Sequence, residues 1–145
     1  MLEAKKITEL LREKGFKVTP QRLAVYEVLS RTKAHPNAET IYNKLQPNYP
    51  TMSLATVYKT LDILSEIGLV QVLNVGEESF RYDANTESHP HVHCVQCGRV
   101  DDIFDVDDSE FMERLTQKTA YQLTGKQLYF YGICPSCQKK RKGVH

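Results

Sequence analysis

The chain has 145 residues, a formal net charge of +1 at pH 7 and 26% charged residues. This length allows one ordinary domain or two small ones, and the composition is that of a soluble globular protein. It contains no low-complexity segment and no apolar run long enough to span a membrane. The first seventeen residues mix acids with bases and lack an apolar leader, so we expect a cytoplasmic protein.

Charge is unevenly distributed along the chain. Residues 1–60 contain ten lysines and arginines against five acids, whereas residues 101–113 contain seven acids and no base. Such asymmetry suggests a basic face for a polyanion and an acidic face elsewhere, although two ordinary solvated faces would give the same counts.

Two helices are predicted at the start of the chain. Residues 3–14 carry apolar side chains at helical spacing, and Gly15 ends this first helix. The second helix has Thr19 as its N-cap and Pro20 at its first helical position, the place where proline is tolerated best.

Two more helices and a hairpin follow. Residues 35–46 predict a third helix capped by Asn37, and residues 51–69 predict a fourth capped by Ser53 and ended by Gly68. Short strands over 69–75 and 78–83, joined by Gly76-Glu77, then predict a β-hairpin. Helices followed by such a hairpin are typical of a winged helix-turn-helix, in which the fourth helix would lie in the DNA major groove.

The rest of the chain has a different pattern. Strands are predicted over 91–95 and 99–106, a helix over 108–118 and a long strand over 121–134. A segment this small needs additional stabilisation, for which we expect a bound zinc ion and dimerisation.

The predicted fold is therefore α+β, in two domains. A winged-helix domain (1–83) is joined by a polar hinge (84–88) to a small α/β domain (89–145) for dimerisation and metal binding.

Four cysteines form two C-x-x-C pairs in this second domain: Cys94 with Cys97, and Cys134 with Cys137. In a cytosolic chain two such pairs predict a tetrahedral zinc site. Disulfides or a redox pair are the alternative, but no thioredoxin-like βαβ pattern surrounds either pair.

Histidines alternate along the segment HPHVHC. On a strand His89, His91 and His93 would share one side while Cys94 points to the other, so the segment can serve two metals. Pro90 disfavours a strand at that point unless the strand lies at an edge.

Oxygen ligands are available near the histidines. Asp83 and Asp102 flank the run, and His35 lies upstream, so imidazole and carboxylate without thiolate would suit Fe(II), Mn(II) or Zn(II). Each residue also has an ordinary alternative: His35 as a turn residue, Asp102 as a solvated acid, and His93 as a hydrogen-bonded histidine behind the cluster.

The chain resembles the ferric uptake regulator family of bacterial metal-dependent repressors over essentially its whole length. The resemblance rests on six stretches: KVTPQR (17–22), HPNAETIY (35–42), MSLATVYKTLDILSEIGLV (52–70), FRYD (80–83), HPHVHCVQCG (89–98) and GICPSC (132–137).

This resemblance implies a homodimer, a non-enzymatic role and two metal sites in each subunit. Structural zinc would be bound by the four cysteines. Regulatory Fe(II) or Mn(II) would be bound, as in the peroxide-responsive branch, by His35, Asp83, His89, His91 and Asp102.

Asp83 and Asp102 decide the branch. Iron-responsive members usually have glutamate at both positions and often carry further ligands where this chain has Ser88 and Pro90. Zinc-responsive members usually use a cysteine, and all four cysteines here are assigned. Asp102 thus favours peroxide sensing, and an iron- or manganese-responsive repressor of metal-uptake genes is the alternative. His93 departs from the family's usual apolar residue.

The resemblance also implies a mechanism. The regulatory metal would link His35 in the first domain to ligands in the second, which sets the angle between the two domains. With Fe(II) bound, peroxide would lead to addition of oxygen to His35 or His89 and derepress oxidative-stress genes. With Mn(II) bound, the site should be inert.

The expected partner is a DNA duplex with an AT-rich inverted repeat. By resemblance, Tyr58 and Lys59 would contact bases and Lys17 would reach the minor groove, whereas Arg22, Ser53 and Thr56 are plausible phosphate contacts.

Two other classes of function remain as alternatives. A zinc-dependent hydrolase is disfavoured because the chain has no H-E-x-x-H motif. A purely structural zinc module would leave His35, Asp83 and Asp102 unexplained.

Overall fold

The computed structural model of the protein describes residues 3–74, 79–87 and 89–142. The chain forms two compact units, Met1–Thr86 and Glu87–His145. The boundary between the units falls inside the segment predicted to be the hinge. The predicted hairpin turn at Gly76-Glu77 and the hinge residue Ser88 lie outside the described residues.

Four helices build the first unit, and the last three of them begin after the predicted capping residues. Thr19, Asn37 and Ser53 each accept a hydrogen bond from the backbone amide three residues further on, at 3.2, 2.9 and 3.1 Å. Gly15 and Gly68 follow two of the helices with φ of 83° and 82°, the left-handed conformation that glycine adopts most readily. The helices are α1 (Ala4–Glu13), α2 (Pro20–Ser30), α3 (Ala38–Leu45) and α4 (Leu54–Glu66).

One hydrophobic core lies among these helices. Val25 of α2, Ile41 of α3 and Val57 and Leu61 of α4 have no measurable exposure. Two antiparallel strands, β1 (Gln71–Leu73) and β2 (Arg81–Asp83), follow α4, with Val72 opposite Tyr82. One face of α4 therefore packs into the core, and its opposite face is exposed to solvent.

The second unit is built on a three-stranded sheet of order β4-β3-β5. Strand β4 is antiparallel to β3, whereas β5 is parallel to it, so residues far apart in sequence are neighbours. The elements are β3 (His91–Cys94), β4 (Val100–Asp102), α5 (Ser109–Gln117), β5 (Tyr129–Gly132) and α6 (Pro135–Lys142).

Two strand predictions in this unit are wrong in length. The strand predicted over 121–134 is confined to Tyr129–Gly132, and residues 121–128 have no regular structure. The strand predicted over 99–106 ends at Asp102, and the chain turns at Asp105, which has a φ of 60°. Helix α6 was not predicted.

Among the described residues, none of the helices combines the length and the apolar character that a membrane crossing requires.

Candidate metal centres and DNA-contacting surface

The four cysteines come together in the second unit, with their sulfur atoms within 4.8 Å of one another. Cys94 ends β3 and Cys97 lies in the turn after it. Cys134 precedes α6 and Cys137 lies in the first turn of that helix. Parallel pairing of β3 with β5 places Cys94 opposite Gly132, which brings the two C-x-x-C pairs to one end of the sheet.

The arrangement of the sulfur atoms fits a zinc ion. Four thiolates at about 2.3 Å from a tetrahedral zinc lie about 3.8 Å from one another. The Sγ atoms of Cys97 and Cys134 are 3.8 Å apart. Backbone amides complete the arrangement, because Cys134 donates to Cys94 Sγ at 3.3 Å and Cys137 donates to Cys134 Sγ at 3.5 Å.

These hydrogen bonds divide the acidity of the thiols unevenly. The backbone amide of Cys134 stabilises the Cys94 thiolate, which lowers the pKa of Cys94 to about 6. A hydrogen bond between the Cys137 thiol and the Cys134 sulfur, followed by burial, instead raises the pKa of Cys137 to about 12. Cys94 is thus more acidic than Cys137, and zinc binding would displace the proton that Cys137 keeps at neutral pH.

Two of the three histidines in the segment HPHVHC lie close to the same carboxylate. His89 Nε2 lies 2.8 Å and His91 Nε2 lies 3.1 Å from Asp102 Oδ1. His91 is directly opposite Asp102 in the β3–β4 pairing, whereas His89 precedes the strand. His93 lies opposite Val100, and its ring contacts Tyr131 edge-on with centroids 6.1 Å apart. His89 and His91 are thus associated with the Asp102 carboxylate, whereas the ring of His93 contacts Tyr131.

This cluster has the spacing and the tautomer of a metal site. Two ligands at right angles, each about 2.1 Å from an ion, lie about 3 Å apart. His89 Nδ1 lies 2.5 Å from the backbone oxygen of Glu87. A carbonyl only accepts, so this contact places a proton on Nδ1, and once Nε2 is deprotonated its lone pair would face a metal bound beside Asp102.

A second imidazole–carboxylate pair lies in the first unit. His35 Nε2 is 3.2 Å from Asp83 Oδ2, and the side chains are 1% and 9% exposed. His35 belongs to the loop between α2 and α3, and Asp83 ends β2. Burial of this depth sets His35 apart from a solvated turn residue.

The backbone of His35 is strained and is held by β2. Its φ of 51° is uncommon for a residue with a side chain and has an energetic cost. Arg81 Nη1 donates to the His35 carbonyl at 2.9 Å, and the Tyr82 amide donates to the Pro36 carbonyl at 3.0 Å. Sequence reasoning did not identify Arg81, and its only signal was its place in the stretch FRYD.

The two clusters offer the same chemistry. Each combines imidazole nitrogen with carboxylate oxygen and contains no thiolate, a donor set that suits Fe(II), Mn(II) or Zn(II). The cluster in the first unit consists of His35 and Asp83, and the cluster in the second consists of His89, His91 and Asp102.

The predicted DNA contacts lie at the surface of the first unit. Tyr58 is 40% exposed and Lys59 is exposed beside it, on the side of α4 opposite the buried Val57 and Leu61. Before α2, Lys17 is exposed and its carbonyl accepts from Arg22 Nη1 at 2.8 Å. At the start of α4, the hydroxyls of Ser53 and Thr56 lie 3.0 Å apart.

Known proteins are similar to this chain in sequence and in fold. The sequence profile of the ferric uptake regulator family matches residues 13–131. The transcriptional regulator PerR of Clostridium acetobutylicum is 52% identical over 134 residues, which cover 92% of this chain and 97% of that one. The peroxide-responsive repressor PerR of Staphylococcus aureus is 40% identical over 131 residues, 90% of this chain and 88% of that one. The structure of the Campylobacter jejuni peroxide stress regulator superposes with a TM-score of 0.72 at 35% identity, covering 94% of this chain and 100% of that one.

Proposed function

This chain belongs to the ferric uptake regulator family, and from that premise we propose that it is a metal-dependent transcriptional repressor that responds to peroxide. The observation that carries the proposal is the pair of imidazoles, His89 and His91, on the Asp102 carboxylate. Aspartate at this position favours the peroxide-responsive branch, and the relatives named PerR support the same branch.

The first unit is the DNA-binding domain, a winged helix-turn-helix in which β1 and β2 form the wing. Helix α4 enters the major groove, where Tyr58 packs against thymine methyl groups and Lys59 contacts base edges. Lys17 reaches the minor groove, and Arg22, Ser53 and Thr56 contact phosphates. A homodimer presents two such helices to the half-sites of an AT-rich inverted repeat in cytoplasmic DNA.

The regulatory ion, Fe(II) or Mn(II), would be held by His35 and Asp83 of the first unit together with His89, His91 and Asp102 of the second. When Fe(II) is bound it supplies the reactivity towards peroxide that Mn(II) lacks. The structural zinc belongs to the four cysteines. A ligand set divided between the units couples metal occupancy to the orientation of the DNA-binding domain.

The residues of the chain convert oxidation into release of DNA. Strand β2 holds His35 rigidly through Arg81 and Tyr82, so a ligand bond at His35 constrains the whole first unit. Oxidation of His35 or His89 would remove a nitrogen ligand from the metal. The first unit would then no longer be held in the orientation that binds the operator.

The test is peptide mass spectrometry of Fe(II)-loaded and Mn(II)-loaded protein before and after dilute peroxide, alongside DNA binding. We expect the peptides with His35 or His89 to gain one oxygen only in the Fe(II) form, with loss of DNA binding. If neither peptide gains mass while DNA release follows iron withdrawal, the protein is an iron sensor.

Replacement of Asp102 tests the branch more directly. Asp102→Glu should retain metal and DNA binding but lose most of the peroxide response, because a longer carboxylate changes the coordination geometry on which reactivity depends. Asp101→Glu is the control, since Asp101 pairs with Arg99 at 2.6 Å and belongs to neither cluster. An unchanged peroxide response in Asp102→Glu would contradict the assignment.

A further inference from the structure

Phe104 is a large apolar side chain that is 55% exposed and therefore contributes little to a core. Its ring stacks on the imidazole of His89, with centroids 5.5 Å apart and ring planes 26° from parallel. The two rings also line one open cleft at the end of the histidine run. Because this ring lies on a candidate metal ligand, it can act on that ligand in addition to any role in apolar packing.

The backbone holds the two rings together. The amide of Ile103 donates to the carbonyl of Pro90 at 2.8 Å, so the residue before Phe104 is fixed to the residue after His89. Asp105 then turns the chain with a φ of 60°. Phe104 is thus placed by its own backbone beside His89 rather than by the packing of an exposed loop.

The contacts of His89 constrain its ring in different directions. Nδ1 donates to the Glu87 carbonyl at 2.5 Å and Nε2 faces Asp102 Oδ1 at 2.8 Å, and both contacts lie at the ring edge. Neither edge contact stops the ring from tilting about the line through the two nitrogens. Two ring contacts oppose that tilt: His91, with centroids 4.5 Å apart and ring planes at 47°, and Phe104, which lies closer to parallel with the imidazole.

We propose that Phe104 is a positioning residue for His89, and that its stacking determines how added oxygen is divided between His89 and His35. The second clause rests on the proposed peroxide response. An oxidant formed near the ligands reacts faster with an imidazole carbon that is held in place. If the His89 ring tilts, a smaller share of the added oxygen therefore goes to His89 and a larger share to His35.

The oxidation of either histidine is a net insertion of one oxygen atom into a C–H bond of the imidazole. Peroxide donates one oxygen to imidazole Cε1, whose C–H bond becomes C–OH and then a ring carbonyl after proton transfer to nitrogen. The O–O bond breaks, and the second oxygen leaves as water with the displaced hydrogen. The imidazole is oxidised by two electrons and peroxide is reduced by two.

Three variants separate stacking from bulk. Phe104→Leu keeps an apolar side chain without a ring, whereas Phe104→Tyr keeps the ring and should behave as the parent. Val106→Ala is the matched control, since Val106 is 53% exposed, lines the same cleft and has no ring to stack.

The first measurement uses metal-free protein and the rate at which diethyl pyrocarbonate modifies His89. We expect Phe104→Leu to raise this rate about 2- to 12-fold, the range that corresponds to losing one aromatic pair. The tyrosine variant and Val106→Ala should stay at the parental rate. A parental rate in Phe104→Leu would overturn the positioning role.

The second measurement is the division of added oxygen between the His89 and His35 peptides in Fe(II)-loaded protein after dilute peroxide. We expect the His89 share to fall by a similar factor in Phe104→Leu only. An unchanged or larger share would overturn the second clause. If the parent gains no oxygen at either histidine, the peroxide response and this clause both fail, while the metal-free rates still decide whether Phe104 positions His89.

Discussion

Helix α4 of the first unit buries five of its thirteen residues, whereas α5 of the second unit buries none of its nine. Both helices carry apolar side chains at helical spacing, but those of α4 reach the core while Phe111 and Leu115 of α5 remain 52% and 38% exposed. Amphipathic sequence alone therefore does not tell which surface a helix covers. In α4 the partner surface is within the unit, and for α5 we expect it in a second subunit.

The same contrast extends to the whole of each unit. The described part of the second unit exposes many more large apolar side chains than that of the first, where Tyr58 and Phe80 are the ones with high exposure. The first unit is stabilised by its core, and we expect the second to need zinc and dimerisation to compensate for apolar area left in water. The exposed set in the second unit is Val95, Phe104, Val106, Phe111, Leu115, Tyr121, Leu123, Phe130 and Tyr131.

Loss of zinc should give the largest difference between the units. Cys94→Ser removes one thiolate ligand, and structural zinc contributes about 10–16 kcal/mol to folding in small metal domains. We expect loss of zinc, of the dimer and of the folded second unit, while the first unit keeps its transition in thermal unfolding. Ser136→Ala, an exposed site beside Cys137, is the control. A folded, dimeric, zinc-free Cys94→Ser protein would refute this expectation.

Identical leucine truncations in the two helices should act differently. Leu61→Ala in α4 empties a fully buried site and should cost the first unit about 2–5 kcal/mol in urea denaturation. Leu115→Ala in α5 should leave the stability of the first unit unchanged and weaken the dimer in sedimentation. Equal loss of monomer stability from both variants would mean that α5 has a core that the structure does not show.

What the sequence predicted correctly was local. The capping residues Thr19, Asn37 and Ser53 act within three residues, so helix starts can be identified from sequence. The two C-x-x-C pairs carry their own spacing, and their convergence could be expected from the chemistry of zinc. His91 and Asp102 were both selected as candidate ligands and lie 3.1 Å apart in the structure, whereas their binding of a metal stays a prediction.

The failures came from non-local structure. Residues 121–134 alternate in the manner of a strand, but backbone pairing with β3 extends only over Tyr129–Gly132. Helix α6, which begins at Pro135, is made mostly of polar residues. Its sequence therefore has no apolar periodicity from which a helix could be predicted. The hydrogen bond from Arg81 to the His35 carbonyl joins residues 46 apart in the chain, and no local sequence pattern predicts such a contact.

Arg81 offers a smaller test, within the first unit. Arg81→Met removes a charged donor from the carbonyl of a strained residue and should cost about 1.5–3 kcal/mol. It should also weaken binding of the regulatory metal, as measured by titration with Mn(II). Arg31→Met is the matched control, because Arg31 pairs with Glu27 at a surface where such a pair contributes about 0–1 kcal/mol. If the two variants lose equal stability, Arg81 does not support His35.

Ser53 should give the smallest effect on stability and can separate folding from DNA binding in the first unit. Its hydroxyl caps α4, whereas Asp108, the N-cap of α5, makes no side-chain capping bond. Ser53→Ala should cost about 1 kcal/mol in urea denaturation. Ser53→Asp should restore that loss, since aspartate caps well and its charge suits a helix N-terminus.

The two Ser53 variants should then diverge on DNA. A carboxylate at the start of α4 would repel a phosphate, so Ser53→Asp should bind an AT-rich inverted repeat more weakly than Ser53→Ala although it is the more stable protein. Fluorescence anisotropy at two salt concentrations measures this, with a smaller difference between the variants at the higher salt because screening weakens the repulsion. If DNA affinity instead follows stability across the parent and both variants, Ser53 serves only as a cap and the phosphate contact belongs elsewhere on the first unit.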